Sequence, residues 1–183
     1  MDYLLPDTRF HRLFGIAAGI GLALSLAVHL ASLAGVDVAA RIPAVWALHL
    51  GVFAVFVPFL LSSRKSLGNR PTRATLRAIM PGWAYVLYVA VLSYALANFF
   101  LVFSSQQGTA TAEGGRYILQ NHGRLIRDLT PAEYTAARAA ELRGFSGHWL
   151  LFYFVPFGYF MFAKAPQRES PRNAEPPPIP GAA

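Results

Sequence analysis

The sequence predicts an all-α membrane protein: a four-helix transmembrane bundle carrying a small extracytoplasmic cap made of a β-hairpin and a helix. Three observations carry this reading. The chain has 183 residues, of which 55% are hydrophobic and only 14% charged, whereas a soluble domain carries about a quarter charged residues. Four runs free of Asp, Glu, Lys and Arg cover about 13–36, 44–62, 81–103 and 145–163. The basic residues gather between those runs. A mean hydropathy of +0.39 excludes a disordered chain.

Residues 1–12 form a short arm with Arg9 and Arg12. The first run, 13–36, is long enough to cross a hydrocarbon core of about 30 Å at ~1.5 Å per residue. A small-residue site at Val38-Ala39-Ala40 invites comparison with a secretory signal. The run exceeds the roughly 7–15 apolar residues of such a signal, and Asp2 and Asp7 dilute the basic flank. The second run carries Pro58 and the fourth Pro156; each bends its helix. Gly15 and Gly19 form a G-x-x-x-G pair in the first run, read as close packing within the chain.

Residues 63–79 form a basic link holding Arg64, Lys65, Arg70, Arg73 and Arg77 without one acidic residue. Basic loops stay cytoplasmic, so both termini are expected there, with Lys164, Arg168 and Arg172 on the same side. The same five residues are candidates for anionic lipid headgroups. The opposite side carries Arg41 and the loop 104–144, whose five arginines are diluted by four acids. Arg143, beside the outer end of the fourth run, dissents locally. Arginine outnumbers lysine fourteen to two, in keeping with a GC-rich bacterial genome, so the expected location of the four spans is a bacterial inner membrane.

In that loop, 104–115 reads as a flexible stretch. Residues 116–120 and 124–129 read as two strands around Asn121-His122-Gly123, a tight-hairpin signal. Thr130, Pro131 and Glu133 form a capping box at the start of a helix, with Leu129 and Tyr134 as its hydrophobic staple. Gly144 is expected to end that helix. The stretch Arg143 to Tyr153 then reads as a tight join to the fourth span. The tail 164–183 is proline-rich, hence extended or disordered.

No phosphate-binding loop, dinucleotide fingerprint, zinc-protease motif or serine-hydrolase elbow occurs. Ser146 and His148 are two apart, on different faces of a helix, and make a poor nucleophile–base pair. No basic stripe interleaves with stacking aromatics, so nucleic acid is excluded as a partner. There are no cysteines, which removes disulfides and thiolate sites. Four of the five histidines map to the outer half: His29 and His49 within the first two spans, His148 at the start of the fourth and His122 in the hairpin. Asn98 lies at similar depth.

Neutral imidazoles at one level can bind haem or a transition metal. His29 and His49 are the candidate cofactor ligands, with His148 and His122 completing a metal set. The competing reading is interhelical hydrogen bonding, with Ser25, His29 and Ser32 on one stripe. The expectation is a small multi-pass, non-enzymatic accessory or interaction component. Its partners are the lipid bilayer and another membrane protein or a second copy. A haem- or metal-binding redox protein is the alternative, and an oligomeric transporter the third reading.

Overall fold

The computed structural model describes residues 8–68, 72–79 and 81–162. Helix α1 (Thr8–Leu33) begins inside the expected N-terminal arm, so Arg9 and Arg12 are helical. It ends in a glycine cap. Gly35 has φ +78°, its N–H donates to Ser32 O at 3.0 Å, and Val36 N–H donates to Ala31 O at 3.0 Å. Those two bonds absorb carbonyls the helix end leaves free. Asp37 then caps the short α2 (Val38–Arg41) through Ala40 N–H at 3.0 Å. A 3-10 turn (Pro43–Trp46) leads into α3 (Ala47–Leu67). Next come α4 (Arg73–Ile79) and α5 (Gly82–Ser105).

Three helical stretches are long and apolar enough to cross a membrane: Arg9–Leu33, Pro43–Lys65 and Gly82–Ser105. They correspond to the first three runs. The fourth run is not among them. Ser146, His148, Trp149, Tyr153, Pro156 and Tyr159 dilute its hydropathy, and it is no separate element. It is the second half of α6 (Pro131–Phe162), a continuous helix of 32 residues.

Gly144 does not end the cap helix, and no tight join follows it. A glycine terminates a helix by taking a positive φ, and neither Gly144 nor Gly147 has one. Both instead make room. A Cβ on Gly144 would sit 3.0 Å from Val102, and one on Gly147 would overlap the Asn98 side chain. These two glycines bring α5 against α6.

Helix α6 is the hub. Leu142, Ser146, Trp149, Tyr153 and Phe160 on it are buried, and α1, α3 and α5 all pack against it. The core gathers Ala18 of α1, Val52 and Val55 of α3, and Leu142, Trp149 and Tyr153 of α6. Gly15 and Gly19 face Met161 and Phe157 of α6, so the G-x-x-x-G pair packs within the chain as expected. Large apolar side chains on the other faces stay exposed: Ile20 and Leu24 on α1, Leu50 and Phe53 on α3, Phe100 and Phe103 on α5.

The cap holds one strand more than expected. Thr109–Glu113, within the stretch read as flexible, is β1. It pairs antiparallel with β2 (Arg116–Asn121), which pairs with β3 (Arg124–Leu129). Gly114 and Gly115 turn the first hairpin with φ +57° and +77°; His122 and Gly123 turn the second with +49° and +81°. Two successive positive φ values suit the right-handed strand twist. Ala110, Leu119 and Leu129 form a small core, with Tyr134 and Ala137 of α6 packed on it.

The capping box is present: Glu133 N–H donates to Thr130 Oγ1 at 3.3 Å, and Thr130 N–H to Glu133 Oε2 at 2.8 Å. The proline-rich tail 164–183, with Lys164, Arg168 and Arg172, and Arg70 of the basic link lie outside the described residues.

Candidate functional site

Ser25, His29 and Ser32 share the face of α1 turned inward, and all three are buried. His29 is 2% exposed. Its Nδ1 lies 2.9 Å from Ser146 Oγ of α6, and its Nε2 meets the Tyr94 hydroxyl of α5. Ser146 Oγ in turn donates to Arg143 O at 3.3 Å. When the serine hydroxyl donates to Arg143 O, it accepts from His29 Nδ1–H, and Nε2 accepts from the Tyr94 hydroxyl. Asn98 Nδ2 reaches the same Arg143 carbonyl at 3.2 Å. One polar chain therefore ties α1, α5 and α6 together.

His49 belongs to a second network. Its Nδ1 accepts from Trp149 Nε1–H at 3.0 Å, which puts its own proton on Nε2. Trp149 is 1% exposed and stands edge-on to Trp46. Below it, the Tyr153 hydroxyl donates to Leu48 O at 2.7 Å. Ser146 and Trp149 are three apart, on neighbouring positions of the α6 surface. His29 and His49 are thus bound to adjacent turns of α6, each to its own residue, rather than to one another.

The other two candidate ligands lie elsewhere. His148 donates from Nδ1 to Gly144 O at 2.7 Å, with the Phe99 ring edge-on at 4.9 Å. His122 sits in the second hairpin turn, exposed. Among the described residues no group of three His, Asp or Glu is placed to hold a metal ion. Both ring nitrogens of His29, and Nδ1 of His49, are engaged by protein partners, and a haem or metal ligand needs a free lone pair.

Comparison with family models, curated proteins and solved structures finds no match for this chain. The functional reading therefore rests on the geometry of this molecule.

A feature not legible in the sequence adjoins the first network. Between α3 and α5, with α6 and Leu22 and Leu26 of α1 in its wall, lies a cavity of about 880 Å³. Its walls are mostly apolar, with Tyr94 at one end and Arg64 and Gly68 at the other. Tyr94 serves both structures: its hydroxyl bonds to His29 while its ring lines the cavity. The signal that could have marked this wall is the aromatic row Trp83, Tyr85 and Tyr88, which suits an anchor as well as a lining. Of the basic-link candidates, Arg64, Lys65, Arg73 and Arg77 are exposed. Arg64 lines the cavity, and Arg77 stands 5.1 Å from the Tyr85 ring centre.

The cap is tied to the bundle by charge. Arg138 of α6 lies 3.9 Å from Asp37, before α2, and 2.7 Å from Glu141. Arg127 of β3 pairs with Glu133 at 2.8 Å, and Arg116 of β2 with Asp128 of β3 at 2.7 Å. Glu133 is held well below its ordinary range, at about 2, by the Thr130 backbone N–H and then by Arg127.

Proposed function

We propose that this protein is a four-span integral membrane protein acting as a non-catalytic accessory or interaction component, with both termini cytoplasmic in a bacterial inner membrane. The supporting observation is the division of its side chains. His29, Tyr94 and Ser146, and His49 and Trp149, bond one helix to another inside the bundle, while the outward faces of α1, α3 and α5 carry large exposed apolar residues. A water-soluble monomer rarely exposes contiguous apolar patches beyond a few hundred Å²; lipid accepts them. Helix α6, at ~1.5 Å per residue, is about 48 Å long. That exceeds a ~30 Å hydrocarbon core, so its first turns stand outside with the sheet and 145–162 cross. The uncharged lower half of α6 tolerates its polar residues because they face other helices, as polar groups in spans do.

The absence of native cysteines makes the test clean. In intact cells or spheroplasts, an impermeant maleimide should label Gln107→Cys and leave Thr72→Cys unlabelled until the membrane is permeabilised. The reverse pattern, or labelling of both in sealed cells, overturns the four-span arrangement. The redox alternative requires His29 to leave Tyr94 or Ser146. An absorption spectrum with a Soret band, or stoichiometric metal in the purified protein, would replace the accessory reading with that one.

A further inference from the structure

The cavity beside Tyr94 has a depth, a polarity and a charge that together specify an occupant. Its volume, about 880 Å³, falls within the roughly 300–1,000 Å³ of small-molecule sites. On α5 it extends from Trp83 to Tyr94, a rise of about 17 Å along the helix. Half of a ~30 Å hydrocarbon core is about 15 Å. The cleft is therefore one leaflet deep. Among the described residues, α3 and α5 pack on α6 rather than on one another, and their facing sides line the cleft.

The charged end of the cleft is the end where a headgroup would lie. Arg64 lines it, Lys65 follows, and Arg77 is held over Tyr85, itself a lining residue. Between Asp37 and Glu113 the chain has no carboxylate. We propose that this cleft holds the acyl chains of one anionic phospholipid from the leaflet at the basic link, with its phosphate at Arg64. The proposal rests on the membrane reading above and goes beyond it by naming a ligand and its residues.

A second copy of the chain fits less well. Inserted with the same topology, it would bring its own Arg64, Lys65, Arg73 and Arg77 to the same membrane surface. That places like charges together, whereas a phosphate opposes them.

The experiment uses the full chain reconstituted in phosphatidylcholine vesicles doped with phosphatidylglycerol. The protein is extracted in neutral detergent, and retained lipid is counted by native mass spectrometry. The expected result is phosphatidylglycerol retained in excess of its share of the bilayer. Ala90 lines the cleft, so Ala90→Trp should reduce retention of both lipids. Leu96→Trp, on the same helix but exposed and outside the cleft, should leave it unchanged and controls for folding.

Arg64→Gln should lower the phosphatidylglycerol preference roughly fivefold, the contribution of one basic residue near an anionic surface, while phosphatidylcholine stays. Equal retention by Ala90→Trp and wild type overturns the site. An unchanged lipid preference in Arg64→Gln overturns the headgroup assignment. A disulfide-linked dimer through Ala90→Cys, with no retained lipid, would show a second copy in the cleft and also overturn it. Alkaline extraction of the same vesicles separates these failures from failure to insert. A protein that resists extraction yet retains no lipid refutes this proposal alone.

Discussion

Tyr153 of α6 occupies the space that Gly21 of α1 and Gly51 of α3 leave empty. A Cβ on Gly21 would overlap the ring, and one on Gly51 would overlap the hydroxyl, which donates to Leu48 O. A rigid ring that is only 3% exposed has nowhere to move. Alanine in place of a helical glycine gains about 1 kcal/mol of helix propensity, but overpacking of a fitted core costs about 1–3 kcal/mol. With several ring atoms in the way, overpacking wins at Gly21. Gly21→Ala should lower the melting temperature in detergent, and Gly158→Ala, where a Cβ meets nothing within 4 Å, should raise it or leave it unaltered. A stabilised Gly21→Ala would refute this packing.

Gly147 holds a comparable position toward α5. Its missing Cβ accommodates Asn98, whose amide bonds to Arg143 O at 3.2 Å. Gly147→Ala should push Asn98 away, lose that bond and cost about 1–3 kcal/mol. Because α5 packs chiefly on α6, hydrogen exchange should rise in 90–102 before it rises in α1. A uniform rise across all helices would contradict that ranking.

His29 and Tyr94 form a direct interhelical bond. In a membrane such bonds average about 0.6 kcal/mol and reach about 1.7. A double-mutant cycle of His29→Leu with Tyr94→Phe should therefore give a coupling between roughly those limits. A vanishing coupling would mean that the two side chains do not meet.

The start of α6 supplies a pH-dependent contact. Glu133 titrates at about 2 rather than 4.5. A carboxylate depressed on folding adds stability that is complete above its unfolded value and is lost as pH falls through the folded one. Amide protection over 133–135 should hold down to about pH 4.5 and decline from there toward pH 2. Thr130→Ala should weaken the same turn by about 1 kcal/mol at neutral pH. Protection that stays flat from pH 5 to about pH 2 would disprove the role of Glu133.

What could be read from the sequence was local. Thr130 and Glu133 announce a helix start at fixed spacing, Asn121-His122-Gly123 announces a hairpin, and charge-free runs announce long helices. What escaped was decided by neighbours distant in sequence. Gly144 reads as a stop until Val102 is beside it, and the stretch around Gly147 as a tight join until Asn98 is. Thr109–Glu113 is short and polar, so it reads as linker, although alternating Thr and Ala before Gly114-Gly115 did carry a hairpin signal. Ranking the runs by hydropathy also misplaces the centre. The least apolar of the four is the innermost, because α6 fills its faces with rings and small residues rather than with leucines. His29 and His49 meet adjacent turns of α6, and their partners, Ser146 and Trp149, lie 117 and 100 positions on.

The central position of α6 also fixes the order in which the molecule can be completed. The chain emerges from its N-terminus, so α1, α3 and α5 are all synthesised before the helix they pack against. During that interval Ser146 and Trp149 do not yet exist for His29 and His49, and the glycine face of α1 has no ring to receive. Contacts across such sequence separations form late and carry a large closure entropy. Helices α1, α3 and α5 thus lack most of their interhelical partners until α6 has been synthesised.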